Sequence, residues 1–156
     1  MSFEKKPHVC FFVGHRASSL HLYEPLLAKV GELIDMGVTE FWSGGYGDFD
    51  LMAEKAVREW KRKGAKIKLV LVLAYPPKTS TDENWRSYLR QHYEKDYDET
   101  FLPDLEKVPY RQRIIRRNQL IARQAGHVIS GVTRTYGNAC DTLREAEKAG
   151  AMIHQL

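Results

Sequence analysis

Apolar residues fall into short continuous runs that alternate with longer stretches of helical spacing. Residues 8–13 (HVCFFV) are apolar almost throughout, as expected of a central strand buried on both faces, and the run stops at Gly14. Leu26, Leu27, Val30, Leu33 and Ile34 then recur at steps of three and four. This spacing predicts a helix that starts near Glu24 and Pro25, where proline suits the first turn, and stops at Gly37. Residues 38–42 read as a second strand and residues 51–63 as a second helix closed by Gly64. Residues 67–73 (IKLVLVL) form the clearest strand, ended by Tyr75, Pro76 and Pro77. Residues 82–93 have helical spacing, with Trp85, Leu89 and Tyr93 on one side, and residues 100–102 fit a short strand. Residues 110–124 carry an apolar stripe of Ile114, Ile115, Leu120 and Ile121. A strand at 128–132, a helix at 141–149 and a last strand at 152–156 complete the pattern.

Strands alternating with helices of ten to fifteen residues imply βαβ units. The fold class expected is α/β: a three-layer Rossmann-like domain with a mainly parallel sheet, spanning residues 1–156 without a repeat, low-complexity tract or linker. Such sheets hold ligands beyond the carboxyl ends of their strands. Attention therefore falls on the loops after the first, second and penultimate strands.

Composition narrows the class without changing it. A chain of 156 residues suits one domain, and 43% hydrophobic with 28% charged residues excludes disordered and collagen-like classes. No apolar run reaches the roughly 18 residues of a membrane span, and no signal-peptide pattern opens the chain. Two cysteines, Cys10 and Cys140, cannot build a disulfide framework or a four-thiolate zinc site. A reduced, cytoplasmic protein without a membrane partner is expected. Charge adds one feature: residues 107–138 contain no Asp or Glu, yet carry Lys107, Arg111, Arg113, Arg116, Arg117, Arg123 and Arg134. The net charge is +4, so the rest of the chain is net negative. A positive field of this kind attracts phosphate or nucleic acid, unless it is a solvated helix face.

The three loops offer matching chemistry. Gly14 lets the backbone turn sharply, Arg16 provides a forked donor for a carboxylate or phosphate, and His15 can bind phosphate or act as an acid or base. In the second loop, Ser43 to Asp50, the glycines Gly44, Gly45 and Gly47 around Tyr46 permit close approach to main-chain N–H groups. Asp48 or Asp50 can cap the next helix, or accept hydroxyls from a ribose. No Gly-Lys-Ser/Thr follows and the GxGxxG spacing is missing, so this is neither a Walker A loop nor a dinucleotide fingerprint. The third loop, 133–139, ends in Tyr136, Gly137, Asn138 and Ala139; Tyr136 presents a face for a base, and Asn138 suits a left-handed position or a helix cap. Arg117 and Asn118 sit on the preceding helix, and spacing alone does not say whether they reach the strand ends.

In order and location these residues resemble the SLOG superfamily, a Rossmann-like group that includes LOG-type phosphoribohydrolases, DNA-processing protein A and YpsA-like proteins. The resemblance covers nearly the whole chain and lies with the YpsA-like branch. It rests on Gly14, His15 and Arg16, then Gly44, Gly45 and Asp50. Arg117 and Asn118 follow, and then Gly137, Asn138 and Ala139 with Thr142 and Leu143. It implies a site for a nucleotide or nucleotide derivative, built from the glycine-rich loops. Relatives usually carry a second glycine where Asn138 stands, and often an acidic residue where Gly126 precedes the penultimate strand. LOG enzymes place a catalytic glutamate after the turn and an arginine on the preceding helix. Arg117 matches the arginine, and Asp141 is the nearest carboxylate.

The reading that follows is a sensor or regulatory module binding a phosphorylated nucleoside or nucleotide derivative. One alternative is N-glycosidic hydrolysis of nucleoside 5′-monophosphates with Arg117 and Asp141 as catalytic candidates, a reaction that needs a carboxylate near the sugar. Another is DNA contact through the helix at 111–123. No cofactor is expected, and no metal either, since the six histidines form neither HExxH nor a Cys-His pairing. Cys140 reads as a small buried hydrophobe, and Trp42, Trp60 and Trp85 as core or subunit-contact residues. A homo-oligomer is expected for this fold group, with the aromatic middle segment as its candidate surface.

Overall fold

Residues Val9 to Val13 are buried in succession because their strand lies inside the sheet with helices on both faces. The computed structural model describes residues 5–45, 47–75 and 96–156. Its strands are β1 (Lys6–Val13), β2 (Glu40–Ser43), β3 (Lys68–Val72), β4 (Glu99–Phe101), β5 (Ala125–Ser130) and β6 (Met152–Gln155). They form one parallel sheet in the order β4-β3-β2-β1-β5-β6. The chain builds outward from β1 to β4, then returns to place β5 on the other side of β1. That reversal is the topological switch point of the sheet.

Side chains of β1 alternate between two cores, as the two-residue period of a strand requires. Cys10 and Phe12 join Leu26, Val30 and Leu33 of α1 (Tyr23–Asp35) and Phe49, Ala53 and Val57 of α2 (Gly47–Arg62). Val9, Phe11 and Val13 join Ile121 and Ala122 of α3 (Arg113–Gln124) and Ala146 of α4 (Asn138–Lys148). The expected three-layer α/β architecture is thus present.

Several boundaries differ from the sequence reading. Helix α2 starts at Gly47 rather than 51, so Asp48 and Asp50 occupy its first turn, where acidic side chains suit the helix dipole. Helix α4 starts at Asn138 rather than 141. Residues Tyr110–Gln112 form a 3-10 turn ahead of α3. Strand β5 spans Ala125–Ser130 rather than 128–132, and it begins where Gly126 lies against the backbone of β1. A Cβ on Gly126 would stand 2.7 Å from Pro7 Cα and 2.8 Å from Lys6 O, beside the register irregularity between Lys6 and Cys10. That close approach leaves no room for a side chain at this position. The helix expected at 82–93 with Trp85, together with Pro76, Pro77 and most of the aromatic middle segment, lies outside the described residues.

Trp42 is a core residue, and Trp60 joins the two helices of its layer by donating Nε1–H to Leu27 O at 2.8 Å. Cys10 and Cys140 are buried free thiols, and burial pushes the Cys10 thiol well up. Among the described residues no helix is long and apolar enough to cross a membrane, and no group of three metal-ligating side chains occurs.

A buried carboxylate ties α2 to the end of β2. Glu54 accepts hydrogen bonds from Ser43 Oγ and Tyr97 Oη, each at 2.6 Å, and Arg58 lies 3.6 Å away. Neighbouring β5 and β6 hold a second polar pair, His127 and His154, whose Nδ1 and Nε2 approach to 3.1 Å. Burial lowers both imidazoles below their ordinary value, and His127 further disfavours charge on His154. A group with a depressed folded-state pKa takes up its proton later than the unfolded chain, so its stability contribution is lost as pH falls. The unfolding free energy should therefore decline below about pH 6.5. Urea titrations should show a shallower decline for His154→Gln than for the native chain.

Candidate functional site

The turns after β1, β2 and β5 are built by two repeated devices. The first is a serine at the strand end. Ser43, last in β2, accepts the N–H of Gly45 on Oγ at 3.1 Å; Ser130, last in β5, accepts that of Val132 at 3.1 Å. In each case the hydroxyl folds the chain back two residues on. The second is removal of Cβ where a helix side chain crowds the turn. The Phe49 ring of α2 lies under both Gly14 and Gly131, and a Cβ on either would stand 2.2 or 2.9 Å from it. Gly44 meets the Arg117 guanidinium in the same way, at 2.9 Å. Gly47 has φ +85°, and a Cβ there would stand 2.6 Å from Arg16 Cα, so both space and conformation restrict that position to glycine.

Arg117 reaches the strand ends from α3, which the sequence could not decide. It is 2% exposed, and its Nη1 donates to Gly44 O at 3.1 Å and Val72 O at 2.8 Å. Its Nε donates to Asn118 Oδ1 at 3.0 Å. The guanidinium clamps the ends of β2 and β3 to α3, so these donors are turned to the protein's own carbonyls. His15 joins the other two turns: its Nε2 accepts the N–H of Thr133 at 2.9 Å. This bond requires Nε2 to be unprotonated, and burial followed by the nearby Arg134 charge holds the imidazole below its ordinary value.

Between the turns after β1 and β2, α3 and α4 lies a cleft of ≈ 320 Å³. Its lining brings together Gly14, His15 and Arg16, with Gly44 and Asp50 from the second loop. Arg117 and Asn118 come from α3, and Asn138 and Ala139 from α4. Of the other sequence candidates, Gly45, Gly47, Tyr136 and Gly137 stand outside the lining; Tyr136 is 69% exposed. Tyr46 lies outside the described residues. Asp141 is exposed and does not line the cleft. Asn138 is neither left-handed nor a cap. Gly137 holds the cap position with φ 96°, no side chain caps the helix there, and Asn138 is the first helical residue. Phe11, Phe12 and Val13 of β1, Ile114 of α3 and Thr142 of α4 complete the lining. The sequence signals for these were those of core residues and a helix face, not of a site.

The basic run divides on folding. Arg117 is buried and Arg123 pairs with Glu145 at 2.9 Å, whereas Lys107, Arg111 and Arg134 are exposed.

No family model matches the chain, and no curated protein does. Solved structures do. DNA processing protein A from Streptococcus pneumoniae matches with TM-score 0.62 and 18% identity over 98% of this chain and 50% of that one. DNA processing protein A from Helicobacter pylori, described for its unique single-stranded DNA binding mode, matches with TM-score 0.63 and 16% identity over 96% and 65%. TM1055, a structural-genomics target, matches with TM-score 0.56 and 16% identity over 93% and 71%. The fold is shared with these proteins. The chain spans half to about two-thirds of the length of the two DNA processing proteins. At these identities the likeness is one of fold.

The crowded turns make a direct prediction. Gly14→Ala should destabilise the protein by about 1–3 kcal/mol, the usual cost of overpacking. In a Phe49→Leu background that penalty should shrink, giving a coupling of at least about 0.5 kcal/mol in a double-mutant cycle measured by denaturant unfolding.

Proposed function

We propose that the cleft binds the phosphate end of a nucleotide or nucleotide derivative, and that the protein acts through this binding as a sensor or regulatory module. The observation that carries the reading is convergence: the turns after β1 and β2 and the N-terminal turn of α4, which follows β5, border one cleft beside the switch point. A volume of ≈ 320 Å³ falls at the small end of ligand sites. Helix α4 directs its first N–H groups and its positive dipole end at the cleft from Asn138 and Ala139, an arrangement suited to an anion. Arg16 adds a mobile cation at the mouth, and Arg134 stands near enough to His15 to depress its protonation. Asp50 lines the cleft from α2 and is the carboxylate this reading assigns to the sugar of such a ligand. The Gly14-His15-Arg16 turn, similar to that of the YpsA-like branch, agrees with this reading. Hydrolysis is the weaker reading, because Asp141 does not line the cleft.

Asn138→Asp tests the site without undermining the fold. An acidic residue in the first turn of a helix stabilises it, by about 0.3–1 kcal/mol, while repelling a bound phosphate. A panel of nucleoside 5′-monophosphates followed by calorimetry should show binding by the native chain and at least about tenfold weaker binding by the variant, with an unchanged or higher Tm. Binding by neither chain, or equal binding by both, removes the reading.

A second reading draws on the DNA processing proteins and on exposed Lys107, Arg111, Arg134 and Arg16. Single-stranded DNA held by these cations would show strong salt dependence. An oligothymidylate titrated by fluorescence anisotropy should lose affinity steeply between about 50 and 200 mM salt; no binding at the lower salt ends this reading.

A further inference from the structure

We infer that the cleft takes a terminal phosphate monoester in preference to a diester, and that Asn118 is the side chain that makes this choice. This deepens the proposed function and rests on it. Asn118 and His15 both line the cleft, and each has an acceptor atom turned to the protein. Arg117 donates its Nε–H to Asn118 Oδ1 at 3.0 Å. A guanidinium has donors and no acceptor, so this contact fixes which end of the amide faces it. Arg117 is buried and held by the carbonyls of Gly44 and Val72, so turning the amide over would set its N–H groups against a buried N–H. What Asn118 has left to offer is Nδ2 with its two hydrogens, and no described residue accepts from them.

His15 repeats the arrangement. Its Nε2 accepts the Thr133 N–H, which leaves the proton of the neutral ring on Nδ1, again without an acceptor among the described residues. Arg16, in the same lining, has donors only. These three side chains have hydrogens to give and suit a ligand that is all acceptor. A phosphate monoester near neutral pH carries close to two negative charges and three unesterified oxygens. Esterifying one of those oxygens removes a charge and an acceptor together. A ligand short of an acceptor leaves a donor of the site unpaired, the situation in which a binding site discriminates most strongly.

The test compares AMP with its methyl ester, adenosine 5′-methylphosphate, which keeps base, sugar and phosphorus but has one oxygen blocked. Calorimetry should show the native chain binding AMP at least about tenfold more tightly than the ester. Asn118→Asp keeps an oxygen for the Arg117 Nε–H and replaces the N–H groups by a second oxygen, so it should retain Tm and lose the preference for AMP. Asn118→Leu, which removes the donors without adding charge, should lose the preference as well. Equal affinity of the native chain for both ligands overturns the restriction and leaves the phosphate reading standing. A preference that survives both variants takes the choice away from Asn118. A preference lost in the aspartate variant but kept in the leucine one reflects charge repulsion alone and also overturns the inference. If the native chain binds neither compound, both proposals fail.

Discussion

The site depends on crowding at the carboxyl edge of the sheet. Three of the chain turns there pass so close to a helix side chain that a Cβ would overlap it: Gly14 and Gly131 against Phe49, and Gly44 against Arg117. One aromatic ring from α2 and one guanidinium from α3 therefore fix where β1, β2 and β5 release the chain. Phe49 also belongs to the core on its side of the sheet. Core packing and site geometry are thus set by the same atoms, and neither can shift alone.

Arg117 illustrates how a charge can be structural in such a place. Removing a guanidinium from water is costly unless its donors are satisfied. At the ends of parallel strands, carbonyls past the last ladder bond need donors, and Gly44 O and Val72 O are two of them. The same logic governs Glu54. Its carboxylate accepts from Ser43, whose hydroxyl in turn accepts from Gly45, so a buried acid on α2 shapes a turn without touching it. The His15 ring spans the remaining gap by accepting from Thr133. Each of the three turns is held by a polar group from elsewhere in the chain, which gives preorganised N–H groups rather than flexible ones.

The layers and the place of the candidate cleft were legible because they follow from periodicity. The apolar run in β1, the three-and-four spacing of α1 and the β-rich run of β3 each pointed to their element, and the alternation pointed to a parallel sheet. The choice of three loops followed from where such sheets open. What could not be read was long-range. A seven-charge run suggests a basic surface, but nothing in it marks Arg117 as the member that turns inward, or Arg123 as the one that pairs with Glu145. Glycines in 43–47 hid the start of α2, because they suggest a loop while the acidic residues beside them suit a helix N-terminus. Asn138 was misplaced for a related reason: asparagine favours caps, but Gly137 already holds that position with a backbone angle asparagine adopts less readily.

If the cleft takes a phosphate as proposed, these placements decide what kind of anion site it is. Arg117 Nη1 donates to two main-chain carbonyls and His15 Nε2 accepts from Thr133, so these atoms are turned to the protein itself. Attraction in the proposed site would then come from the dipole and N–H groups of α4, supplemented by Arg16 in the lining. Main-chain donors have fixed directions and select for oxygen geometry, whereas exposed arginines act over longer range and are screened by salt. Discrimination among phosphorylated ligands is therefore expected from the strand-end turns, and the rate of capture from the rim. Lowering the pH changes this division, because protonated His15 can no longer accept the Thr133 N–H, and the bond joining the first and third turns is lost just as a positive charge appears between them.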